Sequence, residues 1–144
     1  MKPRQSPIRP PRDEFLRVVP VHPYAWLWEP LEAEAGFLLR AMFGTKAAYL
    51  DGKLVLCFAA RAEPWQGVLV CTARPHHASL QADFPPLGRH PILPKWLYLP
   101  DATDAFEATA ERLVAAVRRR DPRIGVAPPP KGQRRAAGRR PGAR

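Results

Sequence analysis

The sequence predicts an α+β fold, a single two-layer domain in which helices pack on one face of an antiparallel β-meander, with disordered basic tails. Three observations support this prediction. Asp51-Gly52 separates two runs of β-favouring residues, a further apolar run follows at 67–73, and residues 103–120 have helical periodicity. With 144 residues, the chain is long enough for one hydrophobic core and too short for two domains of ordinary size.

Composition divides the chain into three parts. We expect a disordered Pro/Arg-rich N-terminal tail at 1–14, the α+β domain at 15–122 and a disordered basic C-terminal tail at 123–144. Neither tail offers apolar side chains that could be buried against a core.

The first segment of the domain, residues 15–28, is apolar and aromatic, but Pro20 and Pro23 prevent one long element. We expect it to wrap around the domain and to bury its aromatic side chains. The alternative is a surface for a protein partner that includes Trp26 and Trp28, because exposed aromatic residues are favoured at interfaces.

The next elements are a short helix and a hairpin. Pro30 can begin a helix over 31–35, and Gly36 can end it in the left-handed conformation. Strands are predicted at 37–43, 46–50 and 53–60. Because both central residues of a type I′ turn have positive φ, Asp51-Gly52 predicts a tight turn between the second and third strands.

The second half of the domain continues the meander and ends in a helix. A strand at 67–73, a short helix at 75–84 and a strand at 95–99 precede the last helix, which Thr103 is expected to cap. This helix has one apolar stripe, formed by Phe106, Ala110, Leu113, Val114 and Val117. If the stripe packs on the sheet, the opposite sheet face is either solvated or covered by residues 15–28.

The formal net charge of +10 lies entirely outside residues 18–121. Residues 1–17 carry five basic and two acidic residues, residues 122–144 carry seven basic and no acidic residues, and the segment between is balanced. The first interpretation is that the tails keep the protein solvated. The alternative is salt-sensitive, sequence-nonspecific binding of nucleic acid by the C-terminal cations, which are Lys131, Arg134, Arg135, Arg139, Arg140 and Arg144.

Reactive groups are few and do not form a known motif. The sequence has no nucleophile elbow, phosphate-binding loop, dinucleotide fingerprint or zinc-protease motif, so we expect no enzymatic activity, no cofactor and no metal. Cys57 and Cys71 are predicted to lie opposite each other on neighbouring strands as buried thiols. A metal site that combines these thiols with His76 is the minor alternative, because the spacing matches no common zinc pattern. His76 and the adjacent His77 point in different directions and are expected to be exposed.

Two further tryptophans lie in the meander. Trp65 follows Pro64 at the predicted tip of a hairpin, where it is a third candidate for contact with a protein partner. Trp96, in the returning strand, is expected to lie in the core.

Two short motifs resemble a known family. Residues 39–44 contain Arg40-Ala41-Met42-Phe43-Gly44, and Tyr49-Leu50-Asp51-Gly52-Lys53 follows. This pattern resembles the N-terminal domain of the TfoX/Sxy family, in the YjbR-like superfamily, and the later run at 90–100 is similar to its small stand-alone members. The resemblance implies an antiparallel sheet packed with helices and no catalytic residue. It also implies a regulatory role, with DNA binding as a second expectation.

The predicted function is that of a non-enzymatic, small cytoplasmic protein with a regulatory or adaptor role through protein binding. A weak, sequence-nonspecific nucleic-acid-binding accessory protein that uses the C-terminal tail is the alternative. The sequence has no apolar run long enough to span a membrane and no secretion signal, so we expect no membrane partner.

Overall fold

The computed structural model describes residues 22–42 and 44–128. Within these residues the chain forms a six-stranded antiparallel sheet and three α-helices, which confirms the predicted α+β fold. The elements in chain order are α1 (Ala25–Trp28), β1 (Phe37–Met42), β2 (Thr45–Leu50), β3 (Lys53–Ala60), β4 (Gln66–Val70), α2 (His77–Asp83), β5 (Gly88–Arg89), β6 (Leu97–Pro100) and α3 (Phe106–Arg118). Two 3₁₀ turns, Glu29–Ala33 and Arg74–His76, follow α1 and precede α2.

The strands lie in the order β1-β2-β3-β4-β6-β5. The first four form the predicted meander, and β6 pairs with the other side of β4. The two-residue strand β5 pairs with β6 at the edge of the sheet and is not predicted by the sequence, because two residues carry no periodic signal.

The turn between β2 and β3 has the predicted geometry. Asp51 has φ 53° and Gly52 has φ 83°, and β3 covers the predicted residues 53–60. A positive φ at both positions is the requirement of the type I′ turn.

One face of the sheet packs against the helices. Every residue of the predicted apolar stripe of α3 is buried, as are Leu27 and Trp28 of α1. The indole of Trp28 lies edge-on to Phe58 of β3, with 5.2 Å between ring centroids. Residues 22–28 therefore belong to the helix layer, so of the two alternatives for the opposite sheet face, coverage by this part of the N-terminal segment does not occur.

Two local expectations about helix ends are also wrong. Ala105, not Thr103, occupies the N-cap position of α3, and no side chain caps this helix. Gly36 does not have the predicted left-handed conformation. A Cβ at this position would meet the carboxylate of Asp51, which would have to move, and the backbone N–H of Asp51 donates to the Gly36 carbonyl oxygen at 3.0 Å.

The domain extends beyond the predicted boundary at residue 122. Ile124 is buried, and Val126 forms a bridge with Leu54 of β3 through two backbone hydrogen bonds of 2.9 Å. The Gly125 N–H donates to the carbonyl oxygen of Cys71 at 2.7 Å. The composition of this segment is typical of a tail, and a contact of three residues is too short to have periodicity. The sequence therefore did not predict that residues 124–126 pack against the domain.

Candidate binding groove

The sheet face opposite the helices is apolar. Its buried residues are Ala47, Leu54, Cys57, Ala59, Leu69, Cys71, Trp96 and Tyr98. Three partly buried side chains from connecting segments pack against them, namely Trp65, Leu93 and Val126. Loops cover this face in part, and the N-terminal residues 22–28 do not.

His90 joins two of these loops. Its ring is fully buried, and its Nε2 lies 2.8 Å from the carbonyl oxygen of Pro64. Its Nδ1 accepts the backbone N–H groups of Ile92 at 3.0 Å and Leu93 at 2.9 Å. Because Nδ1 accepts, the neutral tautomer with a proton on Nε2 satisfies all three contacts. The ring also lies against Trp65, so one side chain holds both loops in place.

Two adjoining pockets on this face form what we call the sheet groove. The first pocket has a volume of about 830 Å³, with Cys57 and Leu69 on its floor. Its walls include Trp65, Ile92 and Leu93, which come from the two loops that His90 joins. This volume is in the range of pockets that bind ligands in proteins.

The second pocket continues the groove toward the edge strand β1. Its volume is about 1020 Å³, and its lining includes Leu38, Tyr49 and Val126. The two pockets share Met42, Lys95 and Trp96, so they are neighbours on one surface. Leu38, at this end of the groove, is 46% exposed.

Charges around the groove are mainly positive. Arg61 and Lys95 border the first pocket together with Glu63, while Arg40, Arg74 and again Lys95 border the second. The Nζ atom of Lys95 lies 5.9 Å from the centroid of the Trp96 ring, within cation–π distance.

A network of polar side chains fixes the base of the Trp65 loop. The hydroxyl of Tyr98 donates to the Glu63 carboxylate at 2.7 Å and accepts the backbone N–H of Gln66 at 2.8 Å. The hydroxyl of Tyr24 donates to Asp101 at 2.6 Å. Burial, followed by the hydrogen bonds to these carboxylates, raises the pKa of Tyr24 and of Tyr98 above the ordinary value. Both hydroxyl groups therefore remain protonated and act as structural donors.

The two cysteines lie beneath the groove. Their sulfur atoms are 3.9 Å apart and both thiols are free and buried. The prediction that they lie directly opposite each other is wrong. The register pairs Cys57 with Leu69, and Cys71 lies two residues after Leu69, just beyond the end of β4. Burial, and then the hydrogen bond with Cys57, raises the pKa of the Cys71 thiol.

The paired histidines do not both lie on the surface. His77 is buried and its Nε2 lies 3.0 Å from the carbonyl oxygen of Lys95, so the expectation that it is exposed is wrong. The reason is that α2 begins at His77 and directs this side chain under the loop that carries Lys95, whereas His76 is only partly buried. No group of three or more metal-ligating side chains occurs within residues 22–42 and 44–128.

The three tryptophans predicted to contact a partner lie in different places. Trp65 lines the sheet groove, Trp26 is 38% exposed on α1 in the helix layer, and Trp28 is buried in the core. Trp28 therefore does not offer the exposed surface that its predicted role requires. The predicted nucleic-acid-binding residues between Lys131 and Arg144 lie outside the described residues.

Sequence reasoning did not identify the other main residues of the groove. Leu93 and Lys95 lie in a Pro-rich loop without a local signal, and Trp96 was predicted only to be a core residue, which its 8% exposure confirms. His90 precedes a proline, and only the fold reveals that it is fully buried between two loops.

No family model, curated protein or solved structure matches this chain. The resemblance to the TfoX/Sxy family therefore stays a prediction. Within the described part of the chain, no helix is both long and apolar enough to cross a membrane.

Proposed function

We propose that this protein is a non-enzymatic regulatory or adaptor protein that binds another protein through the sheet groove. The occupant is an extended segment of the partner that places bulky apolar side chains in the two adjoining pockets. The single observation that carries the proposal is the apolar, partly open groove over the sheet, which Trp65, Leu93 and Trp96 line. Apolar surface of this kind, bordered by charged residues, is typical of sites of protein interaction.

Three side chains of types that support catalysis have structural roles instead. The two ring nitrogens of His90 contact backbone groups, and Ser79 Oγ accepts a hydrogen bond from Arg123 at 2.7 Å. The thiol of Cys71 is fully buried with a raised pKa, and such a thiol is a poor nucleophile because the thiolate is the reactive form. These contacts favour a binding role over an enzymatic one.

A selection from a displayed library of random 12-residue peptides tests the proposal. We expect peptides that bind the full chain and lose about tenfold or more in affinity with Trp65→Ala or Ile92→Asp, because aromatic anchors dominate interfaces. Ile92 is 60% exposed, so its substitution leaves the core intact. Trp26→Ala is the matched control, since this exposed indole lies in the helix layer. Peptides that depend on Trp26, or no groove-dependent peptide at all, would overturn the proposal.

The second candidate function is weak, sequence-nonspecific binding of nucleic acid through the segment 131–144. It is supported by the charge distribution. Residues 18–121 carry equal numbers of basic and acidic residues, whereas every charged residue of the segment 131–144 is basic. A chain that ends at Pro128 keeps the described C-terminal contacts of the fold, and should be compared with the full chain on random duplex DNA. Binding that falls steeply with salt and disappears on truncation would support this function, and equal binding by both forms would contradict it.

A further inference from the structure

We propose that the partner segment in the sheet groove is acidic, with carboxylate side chains next to its bulky apolar ones. This inference rests on the proposed function. Among the described residues, four basic ones border the groove, namely Arg40, Arg61, Arg74 and Lys95, and Glu63 is the one acidic residue that lines its two pockets.

Within residues 22–42 and 44–128, none of the four cations forms an ion pair. Elsewhere in the domain, Arg118, Arg120 and Arg123 each pair with a carboxylate at 3.2 Å or less, whereas Arg112 and Arg119 form no ion pair among the described residues. Positive charge thus predominates beside the groove, whereas residues 18–121 as a whole carry equal numbers of basic and acidic residues.

Two of the cations are positioned by their surroundings. The ammonium group of Lys95 lies over the Trp96 ring at the junction of the two pockets. The guanidinium of Arg61 lies against Gly44, where a Cβ atom would collide with its Nη1. Cations held next to apolar walls strengthen the local potential, because the low-dielectric surface focuses the field.

Such an arrangement selects a ligand by charge. Complementary charges at the edge of an interface raise the association rate and exclude partners of the wrong sign. A segment with alternating apolar and acidic residues would place its apolar side chains on the floor and its carboxylates beside the four cations. A basic segment would meet repulsion at both ends of the groove.

An acidic peptide fits the groove better than a single-stranded nucleic acid does. Stacking of bases requires exposed ring faces, but Trp96 and Tyr98 are 8% and 5% exposed, and the partly buried ring of Trp65 already lies against His90. The first pocket is lined mostly by apolar side chains, which suit the apolar side chains of a peptide.

The test uses three 12-residue peptides that alternate Leu and Trp with Glu, Gln or Lys, and the single-stranded oligonucleotide dT12. Binding to the full chain is measured by isothermal titration calorimetry at low and physiological salt. We expect the Glu peptide to bind about tenfold or more tightly than the Lys peptide, with the Gln peptide between them, because each charge contact contributes modestly at a solvent-exposed site. The preference should decrease as salt increases.

Charge-reversed variants test whether the preference for the Glu peptide depends on the cations of the groove. The double variant Arg40→Glu/Lys95→Glu should lose about tenfold in affinity for the Glu peptide and gain affinity for the Lys peptide. All of the exchanged residues are exposed, so the variants should fold. The matched control is Arg89→Glu/Arg119→Glu, which reverses two exposed cations that do not line the groove.

The outcomes separate this inference from the proposed function. Equal binding of the three peptides, lost in Trp65→Ala, would overturn the acidic preference and keep the groove as a protein-binding site. If Arg89→Glu/Arg119→Glu reduced the preference for the Glu peptide as strongly as Arg40→Glu/Lys95→Glu does, the acidic preference would also be overturned. Binding of none of the peptides would contradict both proposals, and tighter binding of dT12 in competition with the Glu peptide would replace the acidic segment with a nucleic acid.

Discussion

The imidazole of His90 lies against the indole of Trp65, with 4.4 Å between the ring centroids and 46° between the ring planes. His90 comes from the loop before β6 and Trp65 from the loop between β3 and β4. The two walls of the first pocket are therefore joined by a single buried side chain, which also hydrogen-bonds the backbone of both loops. Stability of the domain and shape of the groove are coupled at this contact.

Replacement of His90 by Ala should destabilise the protein and loosen the groove. The substitution removes a fully buried ring and leaves the carbonyl oxygen of Pro64 and two backbone N–H groups without partners. We expect a loss of about 3 kcal/mol in the free energy of unfolding. Urea denaturation measures this loss, and a red shift of tryptophan emission reports the exposure of Trp65.

The control for this prediction is His76→Ala, because His76 is only partly buried. It should change the free energy of unfolding by less than about 0.5 kcal/mol. If both variants were equally stable, His90 would not join the two loops as the structure indicates.

Replacement of Gly52 by Ala should destabilise the hairpin through the backbone alone. Gly52 has φ 83°, and no atom lies within 4 Å of the place where a Cβ would be added. The expected cost is about 1 kcal/mol, which is the penalty of an L-residue in the left-handed region. Thermal unfolding of the variant measures it.

Gly88→Ala is the matched control for the hairpin, since its Cβ would also meet nothing within 4 Å. Gly88 lacks a positive φ, so this change should be neutral or stabilising by a few tenths of a kcal/mol, because alanine reduces the entropy of the unfolded chain. Equal destabilisation by both substitutions would contradict the assignment of strain to Gly52.

The fold could be predicted from the sequence where the signal is local. The Asp51-Gly52 turn and the apolar stripe of α3 depend only on turn chemistry and helical spacing, and both predictions are confirmed. The groove depends instead on loops from distant parts of the chain, so neither Leu93 nor His90 gave a usable signal. Trp65 was identified because its place in a turn made exposure plausible, whereas nothing local distinguishes the buried Trp28 from the exposed Trp26.

Replacement of Arg123 by Gln should weaken the attachment of the C-terminal segment. Arg123 pairs with Asp121 at 2.7 Å and with Asp83 at 2.8 Å, and the Asp121 side chain is 9% exposed. We expect a loss of about 1.5 kcal/mol at pH 7, because these hydrogen bonds are charged and partly buried. Urea denaturation at several pH values measures the loss.

Acidic pH should reduce the stabilisation that Arg123 provides. Hydrogen bonds from Arg123 lower the pKa of the Asp121 carboxyl below its ordinary value of 3.8. A group whose pKa is lower in the folded state stabilises the protein above its unfolded pKa, and this contribution is lost as the pH falls through the folded pKa. The difference between the wild type and Arg123→Gln should therefore decrease below about pH 4. A constant difference down to pH 2 would contradict this linkage, and Arg89→Gln, an exposed cation that does not act on Asp121, should show neither effect.

Alkaline pH should destabilise the protein through Cys71. This thiol is fully buried beneath the sheet groove, and burial raises its pKa, so the folded protein keeps a proton that the unfolded chain releases above about pH 8.5. Because the unfolded state then binds fewer protons, stability must fall as the pH rises, with a slope that approaches about 1.4 kcal/mol per pH unit for one thiol. Cys71→Ala should reduce this slope, which urea midpoints between pH 8 and 10 can measure. Val70→Ala, a buried truncation on the same strand without an ionisable group, should lower stability and leave the slope unchanged. An equal slope in the wild type and in Cys71→Ala would show that the thiol does not contribute to the alkaline loss.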